Sequence, residues 1–136
     1  MNDTAGETLS VVVEREFAHP PEKIWRALTQ PHLIEEWLMK SDFRPVVDHR
    51  FAFRGDWGAV DCQVLGVEPL ETLTYTWGAM GVETVVTWTL TPTRAGTLLR
   101  MEQSGFRPDQ RQAFQGAKVG WRNFLECLDS VLRRTA

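Results

Sequence analysis

The chain has 136 residues, of which 43% are hydrophobic and 24% charged, with a formal net charge of −3. That length and balance suit one folded domain and exclude a disordered chain. So small a negative charge gives no footprint for a polyanion, so no nucleic acid is expected as a partner. No apolar run approaches the ~20 residues that cross a bilayer, so no membrane insertion is expected. The start, MNDTAGETLS, has neither a basic segment nor an apolar stretch and does not read as a signal peptide. A cytoplasmic location follows as an expectation, with Cys62 and Cys127 as reduced core thiols. Six Trp and seven Phe stand against a single Tyr. Large rings without hydroxyls suit either a thick core or the wall of an apolar pocket.

Residues 1–7 are small and polar and are expected to fray. Leu9 to Phe17 alternates, with Leu9, Val11, Val13 and Phe17 on one face, as in a half-buried strand. Arg15 falls on the same inward parity, which calls for a salt bridge or a bulge. Pro20-Pro21 ends the strand and opens a short helix carrying Ile24, Trp25, Ala27 and Leu28. Pro31 opens a second, striped by Leu33, Ile34, Trp37 and Leu38.

From residue 43 to 104 the period becomes two. Phe51 and Phe53, then Val60, Cys62 and Val64, then Leu73, Tyr75 and Trp77, then Val86, Trp88 and Leu90 each occupy one face. Thr97, Leu99, Met101 and Gln103 do the same in the last strand. Turn residues punctuate the runs at Gly55-Asp56, Glu68-Pro69, Gly78 with Gly81, and Thr91-Pro92 through Gly96. Short strands with short connections pair consecutively in an antiparallel meander. About Asp109 to Arg134 reads as one long helix, its stripe running Phe114, Ala117, Trp121, Phe124, Leu125, Leu128, Val131, Leu132. Gly116 and Gly120 weaken that helix by roughly 0.5–1 kcal/mol each relative to Ala. Such a cost points to a close approach of backbone or ligand on that side.

Arg15-Glu16-Phe17, Pro20-Pro21, Ile24-Trp25, Ala27-Leu28-Thr29, Pro31, Leu33 and Trp37 form a graded series of motifs. Leu73 to Trp77, Val86 to Leu90, Gly96 to Leu99, Gly120-Trp121, Phe124-Leu125 and Leu128 continue it. In this order and spacing the chain, from about residue 8 to 133, resembles the START-like, or helix-grip, superfamily of SRPBCC domains. Within it, the chain is most similar to the branch named after the activator of heat-shock protein 90 ATPase. The family often has a glycine pair before the strand of Phe51 and Phe53, where this chain has Asp48-His49. The resemblance implies an α+β fold: a curved antiparallel sheet of six to seven strands around a long C-terminal helix. It implies one domain over residues 1–136, with its core at about 8–134. It also implies a cavity for a small apolar molecule such as a lipid, polyketide or aromatic compound. A minority of members are cyclases or dehydratases. Chaperone activation goes with larger proteins that carry an additional N-terminal domain.

Trp57, Tyr75, Trp77, Trp88, Met101, Gln103, Phe114 and Trp121 are the candidate ligand-binding residues. Each ring has core packing as its plainer reading, and together they suggest a sheet that does not close without a cavity. Gln103 needs a partner for its amide, either in the protein or in a ligand. His19, His32 and His49 lack ligand spacing, and no phosphate loop, zinc pattern or nucleophile elbow occurs. No catalytic residue, metal or cofactor is therefore assigned, and the chain is expected to be a monomer or weak dimer. Three readings stand: a non-catalytic ligand binder (stress-linked or otherwise), a polyketide cyclase- or dehydratase-like enzyme, or a chaperone-linked or regulatory protein-interaction module.

Overall fold

A computed structural model describes residues 8–135, so the expectation for the N-terminal seven lies outside the described residues. Strand β1 (Leu9–Phe17) is followed by helices α1 (Pro21–Thr29) and α2 (Pro31–Trp37). A two-residue strand β2 (Lys40–Ser41) precedes β3 (Arg50–Gly55), β4 (Gly58–Glu68), β5 (Thr72–Ala79), β6 (Val82–Pro92) and β7 (Thr97–Phe106). A 3₁₀ turn (Pro108–Gln110) then leads into the long helix α3 (Arg111–Arg134). All strands pair antiparallel in one sheet of order β1-β7-β6-β5-β4-β3-β2. This is the helix-grip architecture, with α3 lying across the sheet's inner face.

The inward parities sort as the alternation predicts. Val64, Tyr75, Val86, Gln103 and Val11 form one row across five strands, and Leu73, Trp88, Met101 and Val13 form the next. Onto these rows α3 lays Trp121, Leu125, Leu128, Val131 and Leu132, all buried. Arg15 is satisfied by Glu126 and Asp129 of α3 at 3.5 and 3.4 Å, so an inward charge is paired where strand meets helix. At the far end Lys23 donates from its ammonium to the carbonyls of Leu132 and Thr135, at 2.5 and 2.8 Å. This cation caps the negative end of the helix dipole. Helix α2 is fixed from inside: Trp37 donates its indole N–H to Ala27 O at 2.8 Å and meets Trp88 edge-on.

One irregularity shapes the end of the sheet that carries the β5–β6 turn. The register of β1 and β7 slips between Leu9 and Ser10, leaving Gly105 as a bulge at φ 108°. A Cβ there would stand 3.3 Å from Glu83 O, so glycine serves both the backbone angle and the close approach. The bulge turns Phe106 inward, where simple alternation would have faced it out. Asp48, where the resemblance led to an expected glycine, occupies the left-handed region at φ 74°, which Asp tolerates better than most residues. Among the described residues no helix is long and apolar enough to cross a membrane.

Candidate functional site

A cleft of about 350 Å³ opens between the N-terminal half of α3 and the sheet end that carries the β5–β6 turn. Its sheet wall consists of Trp77, Ala79, Val82, Gln103 and Phe106, with Met80 at the rim. Its helix wall is Ala113, Gly116, Ala117, Gly120, Trp121 and Phe124. The four small helix residues follow the i, i+3, i+4, i+7 pattern of a single face. A Cβ on Gly116 or Gly120 would meet nothing within 4 Å, so the cleft exists because those side chains are missing. The C-terminal half of α3 packs tightly. The cavity is thus an open cleft at one end of the grip, not an enclosed chamber beneath the whole helix.

One polar chain crosses this apolar surface. The Trp121 indole N–H donates to Gln103 Oε1 at 2.7 Å. Gln103 Nε2 donates to the Thr84 hydroxyl at 2.9 Å, and that hydroxyl donates to Trp77 O at 3.0 Å. Trp77 and Trp121 also touch ring to ring, with centroids 5.1 Å apart, and Phe124 packs edge-on to Trp121. None of the lining residues is ionisable.

Of the eight residues singled out from sequence, Trp77, Gln103 and Trp121 meet at this cleft. Tyr75, Trp88 and Met101 face inward but lie deeper, in the packed core. Trp88 is sealed between Trp37 and Trp121, and it donates its indole N–H to the Tyr75 hydroxyl at 2.9 Å. Burial pushes that hydroxyl's pKa up, which keeps it neutral. Phe114 sits against Phe106 edge-on, under the ammonium of Lys118, outside the cleft lining. Trp57 lies in the β3–β4 turn, 53% exposed, its ring folded over Gly55. The two-residue turn ends the alternation there and turns the ring outward, so this candidate lies outside the cleft lining.

The sequence reading missed Ala79, Met80, Val82 and Phe106 as wall residues. Signals were present. Gly105 interrupts the alternation before Phe106, and Met80 is a large apolar residue in a turn position that usually takes Asn, Asp or Gly. Cys127 is also corrected: it is exposed on α3, one residue before buried Leu128, whereas Cys62 is a core thiol whose pKa burial pushes up. Cys127 borders a second depression of about 640 Å³ between β1 and α3. That depression is the larger, but Glu14, Arg15, Arg122 and Glu126 line it, and Arg15 is engaged with α3. The smaller cleft is the better-formed site, because apolar walls with few convergent polar groups mark small-molecule pockets.

The family described as Activator of Hsp90 ATPase homolog 1-like protein matches residues 18–133. No curated protein matches the chain. Among solved structures, a protein from Mesorhizobium loti is 61% identical, with 94% of this chain and 99% of that one covered and a TM-score of 0.91. CalU16 from Micromonospora echinospora is 26% identical, with 96% and 80% covered and a TM-score of 0.82. DynU16, a protein of the dynemicin biosynthetic locus, is 26% identical with a TM-score of 0.84. The alignment with DynU16 covers 92% of this chain and 47% of that one.

Proposed function

The chain belongs to the Activator of Hsp90 ATPase homolog 1-like family, and from that premise we propose that its cleft binds a small, neutral, apolar molecule. The observation that carries this reading is the lining: aromatic rings from sheet and helix surround a strip of Gly and Ala on α3, with the Gln103 amide set among them. At about 350 Å³ the cleft falls within the roughly 300–1,000 Å³ typical of ligand pockets. Unfilled apolar surface of this kind is costly to leave wet, and it gains stability when a matching ligand displaces the water.

A cyclase or dehydratase reading draws on DynU16, whose locus is biosynthetic. Such chemistry needs an acid or base within hydrogen-bond reach of the ligand, and the lining supplies Gln103 alone as a side-chain donor and acceptor. Binding without turnover is therefore the reading the lining favours. A neutral fluorescent probe such as N-phenyl-1-naphthylamine tests it. Saturable binding that weakens by about tenfold or more in Gly120→Leu is expected. Unchanged affinity in this variant would place the ligand elsewhere.

A further inference from the structure

The hydrogen bonds around Gln103 fix which way its amide points, and this carries the proposed binding site further. An indole N–H can only donate, so the atom facing Trp121 at 2.7 Å is Oε1. The Thr84 hydroxyl has given its single proton to Trp77 O, so it accepts from Nε2. Two independent partners thus impose one orientation. Each uses one site, which leaves Gln103 with one free N–H and one free lone pair among the described residues. Gln103 is 2% exposed as a residue and lies in the cleft wall.

A buried N–H left without a partner is costlier and rarer than a carbonyl with one idle lone pair. The ligand that completes this wall is therefore one that brings an acceptor. It also brings no charge, because the lining offers no counter-ion and a desolvated ion here would be unpaired. We propose that the cleft selects neutral apolar molecules bearing a carbonyl oxygen, which accepts the free Nε2–H of Gln103. This rests on the reading of the cleft as a ligand site and adds what that site chooses.

Three probes of one ring system separate the two ideas: naphthalene, 1-acetylnaphthalene and 1-naphthoate, titrated at pH 7 into protein labelled with nitrogen-15. The ketone is expected to bind about 3–10-fold more tightly than the hydrocarbon, the worth of one net hydrogen bond. It should shift the Gln103 side-chain amide protons, while the naphthoate binds at least about tenfold more weakly than the ketone. In Gln103→Met the preference for the ketone should vanish while naphthalene still binds. Should that variant fail to fold, the wild-type series decides alone. Equal affinity for ketone and hydrocarbon, with the Gln103 amide unshifted, overturns the selectivity and leaves the cleft as a binding site. Naphthoate as the tightest ligand overturns it as well. Failure of all three probes to bind removes the site itself.

Discussion

Gly120 has no side chain where α3 faces the cleft, and a Cβ there would meet open space. Its usual helix penalty is therefore uncompensated by packing. Gly120→Ala and Gly116→Ala should each stabilise the fold by about 0.5–1 kcal/mol, read from urea midpoints at constant slope. Gly120→Leu should keep or raise the melting temperature while weakening probe binding by about tenfold or more, since its side chain would occupy the cleft. Loss of stability in Gly120→Leu would mean that the cleft closes in solution. Trp121 has the opposite balance. It is buried, holds Gln103 in place and packs against Trp77, Trp88 and Phe124. Trp121→Ala should cost about 3–5 kcal/mol in the same measurement, whatever it does to affinity.

At the scale of elements, the β5–β6 hairpin holds backbone strain, and the junction of α1 with α3 holds a group that responds to pH. Ala79 pairs with Val82 across a two-residue turn, and both central residues have positive φ, 53° at Met80 and 80° at Gly81. Glycine accepts that geometry freely, whereas methionine does not. Yet Met80 is 82% exposed at the cleft rim, where a flexible apolar side chain can fold over a ligand. Met80→Asn should raise stability by about 0.5–1 kcal/mol and weaken binding of the same probe, a trade expected where strain serves a site. A variant that gained stability with unchanged affinity would leave Met80 without a binding role.

At the helix junction, burial first and the Lys23 ammonium second lower the pKa of His19. The folded state then holds fewer protons on His19 than the unfolded state, so this contribution is complete above about pH 6.5 and is lost as pH falls below it. The loss of stability between pH 7.5 and 5.5 should be smaller in His19→Gln. An identical pH slope in the two proteins would remove His19 as its source.

For the whole molecule, periodicity in the chain revealed faces more readily than depth. β1 and the stripe on α3 were legible because one residue in two, or in three and four, is apolar. The side of the sheet on which Trp77 and Trp88 lie follows from parity alone. Which of them borders the cleft does not. Trp77 stands near the hairpin end under the glycine-rich half of α3, while Trp88 lies further in, against Trp37. That difference depends on where the helix crosses the sheet, which no local pattern encodes. The bulge at Gly105 moved Phe106 into the wall for a related reason: one extra residue inverts the parity that follows it.

The helix that makes the cleft also closes the core, so the site should not be separable from the fold. Truncation after residue 110 would remove Trp121, Leu125, Leu128, Val131 and Leu132 and leave Trp88, Met101 and Leu99 facing water. It would also take away the partners of Arg15 and the carbonyls that Lys23 caps. Single large-to-small changes in such positions cost about 2–5 kcal/mol, against a total stability of about 5–15 kcal/mol for a domain. Five such losses together, about 10–25 kcal/mol, match or exceed that margin. The truncated chain is therefore expected to show no cooperative melting transition by near-ultraviolet circular dichroism or calorimetry. A cooperative transition in that truncated chain would show that the sheet with α1 and α2 folds alone. The grip of sheet on helix would then be a docking event, and the cleft would form only when α3 is seated.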